Sequence, residues 1–214
     1  MSVEKLQEVY NAVEAGKAKK VAAAVQEALD AGCEPSVILN EGMIAAMDSV
    51  GAKFKAGEIF VPEMLVAARA MKKGVDVLKP HLASGDATAA GKIIIGTVAG
   101  DLHDIGKNLV AMMMESAGFE VIDLGVDVPK EKFVEMVEAN PDTKIVACSA
   151  LLTTTMPSLK ETVAALNAAP FRANIKVMVG GAPITQAFAD EIGADAYTED
   201  AASAAQKAKE LVGL

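Results

Sequence analysis

Lys92 to Gly118 reads KIIIGTVAGDLHDIGKNLVAMMMESAG. Its first eight residues, KIIIGTVA, form an apolar run too short for an ordinary helix, as expected of a strand buried on both faces. From Ile105 onward, IGKNLVAMMMESAG reads as a helix. The join between them, GDLHDIGKN at Gly100–Asn108, packs Asp101, His103, Asp104 and Gly106 into six positions at the strand's carboxyl end. A strand that enters a helix through a short polar loop is the repeating unit of a parallel α/β sheet.

Downstream the unit recurs. FEVIDLG, KIVACSAL, IKVMVGG and ADAYTE read as strands, and PKEKFVEMVEAN, MPSLKETVAALNAA, TQAFADEIG and AASAAQKAKELVG as helices. Five β–α units predict a five-stranded parallel sheet covered on both faces, Rossmann-like in class. With the flavodoxin-like strand order 2-1-3-4-5, ligands sit beyond the carboxyl ends of the strands, between the first and third. Upstream the apolar spacing is helical. Leu6, Val9, Tyr10 and Val13 share one face, and Val21, Val25, Ala28 and Leu29 another. A third helix starts at Pro35 and runs through Ile38, Met43, Met47 and Val50; a fourth starts near Pro62 and carries Met64, Leu65, Met71 and Leu78. Gly16 and Gly32 mark helix ends. Four helices of similar length with short links predict an antiparallel bundle. The expected domains are a helical bundle at 1–82, a linker at 83–91, where HLASGDATAAG loses periodicity, and an α/β domain at 92–214.

The totals exclude several function classes. Of 214 residues, 20 are Lys or Arg and 29 Asp or Glu, a net charge of −9 without a basic block. That balance argues against a nucleic-acid surface, which needs clustered cations. With no Trp, two Tyr and six Phe, base-stacking platforms are not expected either. No apolar run reaches membrane-spanning length, and MSVEKLQEVYNAVEAGKAKK is amphipathic, unlike a signal peptide, so a cytoplasmic protein is expected. Cys33 and Cys148 read as buried thiols of a reducing compartment.

Three strand ends converge in the expected sheet: Asp101-x-His103-x-x-Gly106, Ser149-Ala-Leu151 followed by Thr153, Thr154 and Thr155, and Gly180-Gly181. Each has an ordinary explanation alone. Asp104 can cap the following helix, worth about 1 kcal/mol. Gly106 permits close helix packing, SLKE at Ser158–Glu161 reads as a capping box, and Gly180-Gly181 can be a turn. None of these explains an imidazole, hydroxyls and bare backbone gathered at one edge. A phosphate loop is disfavoured, since five residues separate Gly100 from Gly106 and Asn108 stands where Ser or Thr would hold magnesium. A closed zinc site is disfavoured because the other histidine, His81, and the cysteines lack the spacing. One His suits a metal whose remaining ligands come with a macrocycle, with Asp101 holding the imidazole tautomer. Lys107 and Asn108 read as solvated helix residues, and Met112, Met113 and Met114 as core filler.

These elements resemble the signature of cobalamin-binding domains of the base-off, His-on type. The spacings agree, with 42 residues between Gly106 and Ser149 and 28 between Leu151 and Gly180. The whole chain is similar to the corrinoid proteins of methyltransferase systems and to the cobalamin-binding region of methionine synthase. The resemblance implies His103 as the lower axial ligand to cobalt and Asp101 as its hydrogen-bond partner. Protonation would pass on to a hydroxyl at Thr155, where methionine synthase has Ser. Asp104, Ile105, Gly106, Ser149, Leu151, Thr153, Gly180 and Gly181 would hold the cofactor and its displaced nucleotide tail. Phe54 and Val61 match positions that cap the upper corrin face. The implied cofactor is cobalamin, as methylcobalamin and cob(I)alamin or a related corrinoid.

The implied role is a methyl carrier, a subunit and not a self-sufficient enzyme. Its implied partners are a substrate-specific methyltransferase, an acceptor methyltransferase acting on a thiol or a reduced pterin such as tetrahydrofolate, and a reductive activase. The linker at 83–91 would serve as a hinge. Two other readings share the Asp-x-His-x-x-Gly element. The small subunit of an adenosylcobalamin-dependent mutase resembles the sheet domain alone, and a cobalamin-based sensor would need a basic DNA-binding module.

Overall fold

β1 (Lys92–Thr97) is an inner strand of a five-stranded parallel sheet, with β2 (Glu120–Asp123), β3 (Thr143–Ser149), β4 (Lys176–Gly180) and β5 (Ala196–Tyr197) in the order β2-β1-β3-β4-β5. This computed structural model describes residues 2–82 and 90–214; the expected linker at 83–91, with the hinge assigned to it, lies outside the described residues over 83–89. The strand order is the one expected, so its reversal falls between β1 and β3. The register places Thr97 opposite Ser149, and Ser149 opposite Gly180. Three strand ends thus finish level with one another, which sets the loops that follow them side by side.

Alternation along β1 sends Ile94 to one face of the sheet and Ile93 and Ile95 to the other. On the first face, Ile94, Val146, Cys148, Val177 and Val179 pack with Phe133 and Val137 of α7 (Lys130–Ala139), and with Leu159, Val163 and Leu166 of α8 (Met156–Ala168). Ile192 of α9 (Gln186–Ile192) closes that core. The remaining helices, α6 (Ile105–Ser116) and α10 (Ala201–Val212), bury Met113 and Met114 and a set of alanines respectively. Those methionines are core, as expected. Phe133 is fully buried, and its ring lies 2.8 Å from where a Cβ on Gly96 would stand. A bulky ring on α7 therefore occupies the space that β1 leaves by having glycine there.

The described chain divides into two compact units, one holding the N-terminal helices and the other the sheet. In the helical unit, α1 (Ser2–Glu14) packs on α2 (Ala18–Asp30) and on α4 (Ala45–Lys55), while α5 (Val61–Leu78) packs on α2 and α4. Val9, Val13, Val21, Val25, Met43, Met64 and Met71 are its buried core. The third helix is composite: α3 (Pro35–Val37), a π-helical stretch at Ile38–Ile44, then α4. Nothing in the helical spacing foretells the π stretch. Its reason is packing: Ile38 and Met43 are five residues apart and both fully buried, and i to i+5 winding keeps such a pair on one face.

α8 starts at Met156 with Pro157 in its first turn, so Ser158 sits inside the helix and SLKE is no capping box. Glu161 instead pairs with Lys130 at 2.8 Å. Proline's fixed φ suits a helix start and places it ahead of the serine. Cys33 and Cys148 are buried and not disulfide-linked. Among the described residues no helix is long and apolar enough to cross a membrane.

Phe133→Ala should lower unfolding free energy by about 3–5 kcal/mol, since it empties a fully buried aromatic site. Urea unfolding followed by circular dichroism measures it. A loss below about 1 kcal/mol would contradict this packing.

Candidate functional site

The carboxyl end of β1 turns sharply at Gly100, whose φ of +81° favours glycine. The turn is held from the loop after β2. The Gly100 N–H donates to Asp127 Oδ1 at 2.7 Å, and the Asp127 N–H donates to the Asp101 carbonyl at 2.9 Å. Asp127 has φ +53°, a left-handed conformation that Asp tolerates better than most residues. The peptide before Gly100 and the one after Asp101 are thereby pinned to the same residue, and the carboxyl points inward.

Asp101 has no exposure to solvent. Its Oδ2 accepts from the Leu151 N–H at 2.7 Å and from the Thr155 hydroxyl at 2.8 Å. Its Oδ1 lies 2.7 Å from His103 Nδ1 and accepts from the His103 N–H at 3.1 Å. Burial works to raise the pKa, but the Leu151 N–H, the Thr155 hydroxyl and the two His103 bonds outweigh it and hold the carboxyl well below the usual range. An ionised carboxylate only accepts hydrogen bonds, so Nδ1 must carry the ring proton. The Nε2 lone pair is then left on the other side of the ring. The His103 side chain is 49% exposed, so this lone pair is available to a ligand.

The hydroxyls below follow the same proton counting. Thr97 Oγ1 donates to the His103 carbonyl at 2.9 Å and lies 2.9 Å from Ser149 Oγ. Its single proton is used on the carbonyl, so Ser149 is the donor between the two. Thr155 Oγ1 faces two acceptors, Asp101 Oδ2 and the Leu152 carbonyl at 3.0 Å, with one proton to share.

Two kinds of glycine line this edge. A Cβ on Gly181 would stand 1.8 Å from the Ala150 carbonyl oxygen, and its φ is +127°, so the fold itself demands glycine. Gly106 and Gly180 differ. A Cβ on Gly106 meets nothing within 4 Å, and one on Gly180 meets only Thr198 O at 3.9 Å. Packing does not explain either; each leaves a space that a side chain would fill. Around His103, Leu102 and Ile105 are 72% and 86% exposed, and Leu151 and Leu152 are exposed as well. Four large apolar side chains left in water beside an available imidazole suit a bulky, partly apolar ligand. Among the described residues no group of three or more His, Cys, Asp or Glu could hold a metal ion. The donor set thus fits a metal that arrives inside a macrocycle.

The structure brings Asp101, His103, Ser149, Leu151 and Thr155 together through these bonds and leaves Gly106 and Gly180 open. Asp104 precedes α6 and accepts from the Asn108 amide at 3.1 Å, Ile105 opens the helix, and Thr153 is exposed. Phe54, half-buried on α4, and Val61, exposed at the start of α5, belong to the helical unit. Sequence reasoning missed Thr97, Leu152 and Asp127. Thr97 was findable from register as the last residue of β1, whereas no local signal marks Asp127. Lys107 corrects the expectation of a solvated residue: it is 4% exposed, and its ammonium is paired with Asp123. Asn108 is exposed, as expected.

Residues 91–206 match a family model described as a B12 binding domain, and residues 5–79 match a second model of the same description. Both define the class by its cofactor, a corrinoid. The chain is 47% identical to dimethylamine corrinoid protein 1 of Methanosarcina acetivorans over 98% of each. It is 48% identical to trimethylamine corrinoid protein 2 of the same organism over 88% of each. A chain in the crystal structure of the methanol:cobalamin methyltransferase complex MtaBC from Methanosarcina barkeri superposes with a TM-score of 0.85 at 29% identity, covering 99% of this chain and 81% of that one. The chain belongs to the B12-binding corrinoid proteins of methyltransferase systems, and its cofactor is cobalamin or a related corrinoid.

Two outcomes follow. Gly106→Val should leave the melting temperature nearly unchanged yet weaken corrinoid retention at least about tenfold, a loss near 1.4 kcal/mol, whereas Gly181→Ala should damage the fold. Equilibrium dialysis beside thermal melting separates them, and full retention by Gly106→Val would contradict the reading of the space at Gly106 as room for the cofactor. The second concerns acid. A carboxyl held below its unfolded pKa, about 3.9 for Asp, adds stability above that value and loses it as pH falls through the folded pKa. Asp101→Asn should therefore flatten the fall in stability below about pH 5, in urea unfolding at stepped pH. Parallel acid limbs would contradict it.

Proposed function

We propose that this chain carries a methyl group on a corrinoid whose lower axial ligand is His103 Nε2. The observation that carries the reading is the buried, ionised Asp101 on Nδ1, which leaves Nε2 as an acceptor in the open. When bound, the corrinoid's cobalt supplies the chemistry by accepting a methyl group and giving it up. The chain's own residues set the conditions. Asp101 fixes the imidazole tautomer and orientation and strengthens its basicity. A coordinating histidine must be neutral, so release of the ligand is coupled to proton uptake. The freed Nε2 takes that proton, and Asp101 on Nδ1 can share it. Once Asp101 is protonated, the Thr155 hydroxyl can turn its hydrogen to the Leu152 carbonyl and accept from the acid. Ser149, Gly106, Gly180 and Gly181 line the space for the nucleotide tail, with Asp104, Ile105, Leu151 and Thr153 at its rim.

The methyl donor in this reading is a methylamine, supported by the likeness to both dimethylamine and trimethylamine corrinoid proteins. A substrate-specific methyltransferase loads the methyl group, a second transferase passes it to a thiol or a reduced pterin, and a reductive activase restores an oxidised cofactor. The bundle at 1–82 and the sheet domain at 92–214 are separate domains joined at 83–91, and the protein works in the cytoplasm. The match of residues 5–79 favours a methyltransferase carrier over a mutase subunit, which would resemble the sheet domain alone.

The test supplies holoprotein, reduced under anaerobic conditions, with dimethylamine and a dimethylamine methyltransferase. One equivalent of monomethylamine per bound corrinoid is expected in a single turnover, and none with His103→Ala. Methyl transfer from methanol but from no methylamine would overturn the donor class.

A further inference from the structure

Lys107 takes no part in the hydrogen bonds around Asp101, yet it is among the most buried charges of the described residues. Its side chain is 2% exposed, while its partner Asp123 is 41% exposed. Stability does not explain it. Burying an ammonium costs free energy that an apolar side chain of similar length avoids. It also stands third in α6, at the positive end of the helix dipole, where a cation is disfavoured. A buried ion pair that is poor for stability is best attested as a device that fixes one register.

The bonds around it show what is fixed. Lys107 Nζ donates to Asp123 Oδ2 and, at 2.7 Å, to Asn108 Oδ1. The Asn108 amide donates onward to Asp104 Oδ2 at 3.1 Å, on the residue after His103. On its other side, Asp123 Oδ1 accepts from the Gly125 N–H at 2.8 Å. The Gly125 carbonyl accepts from the Thr97 N–H at 3.0 Å, and Thr97 Oγ1 holds the His103 carbonyl at 2.9 Å. The lysine thus joins two arms that grip the histidine's own carbonyl and the following side chain. Asp101 orients the ring from within; this clamp holds the backbone that carries it.

We infer that Lys107 is a positioning residue for the axial imidazole, locking the His103 loop to the tip of β2 so that Nε2 meets the metal at one fixed place. The inference rests on the reading of His103 as axial ligand. Losing such an outer support should weaken corrinoid binding by about tenfold to a hundredfold. It should also leave a fraction of bound corrinoid without its histidine.

The experiment uses full-length protein loaded with hydroxocobalamin and reduced to the cobalt(II) form, in wild type, Lys107→Met, Lys107→Arg and His103→Ala. Electron paramagnetic resonance reads the axial nitrogen as triplet splitting of the cobalt lines, and equilibrium dialysis reads affinity. Wild type should show the triplets, His103→Ala should lack them, and Lys107→Met should show a mixture with weakened binding that Lys107→Arg partly restores. If Lys107→Met fails to fold, Lys107→Met with Asp123→Asn removes both charges while keeping an acceptor for Gly125, and the same mixture is expected of it. Full triplets and unchanged affinity in either folded variant would overturn the positioning role while leaving the axial reading intact. Wild-type spectra without triplets would remove the axial reading, and this inference with it.

Discussion

A carboxylate sealed from water beside a histidine ring is the constraint on which the rest of this structure depends. Removing an ionised carboxyl from solvent costs several kilocalories unless every lone pair is engaged. Here four donors engage Asp101: the Leu151 N–H, the Thr155 hydroxyl, and the backbone N–H and Nδ1 of His103. Hydrogen bonds to a charged acceptor contribute about 1.5–3 kcal/mol each, so the arrangement is secure only while all four stay in place. That requirement ties β1, the loop after β3 and the turn at Gly100 into one unit. It also decides the proton on the imidazole, and with it the direction in which the lone pair faces.

Register is what makes those donors available. Thr97, Ser149 and Gly180 stand opposite one another on three adjacent strands, so their loops leave the sheet at one level. A slip of one residue would turn Thr97 and Ser149 to opposite faces. The fold contributes level strand ends at a reversal of strand order, where open α/β sheets take their ligands. The sequence then places there one imidazole, hydroxyls, and two glycines, Gly106 and Gly180, that leave room around them.

Much of this was legible before any coordinates. The strand KIIIGTVA, the alternation of units after it and the helical spacing before it announce the two-part architecture, because burial on both faces and burial on one face leave different periods. Asp101, His103 and Gly106 stand out because their chemistry has no use at the end of an ordinary strand. What was not legible depended on contacts between distant residues. Asp127 pins Gly100 from another loop, and its left-handed backbone leaves no mark in composition. Lys107 follows a loop and opens a helix, which reads as solvent-facing until β2 brings Asp123 beside it. The π stretch at Ile38–Ile44 answers to the packing of Ile38 and Met43, which helical periodicity alone does not disclose. Ser158 misled because a local motif lost to Pro157 two residues into the same helix.

The claim on which all of this turns is that His103 Nε2 ligates the corrinoid metal from below. The most direct measurement is the absorption spectrum of the protein reconstituted anaerobically with hydroxocobalamin and desalted, beside His103→Ala. The account predicts one retained corrinoid per chain in the wild type, and a shifted spectrum in the variant as the axial nitrogen is lost. A wild-type protein that emerged colourless, or a variant with an unchanged spectrum, would contradict it.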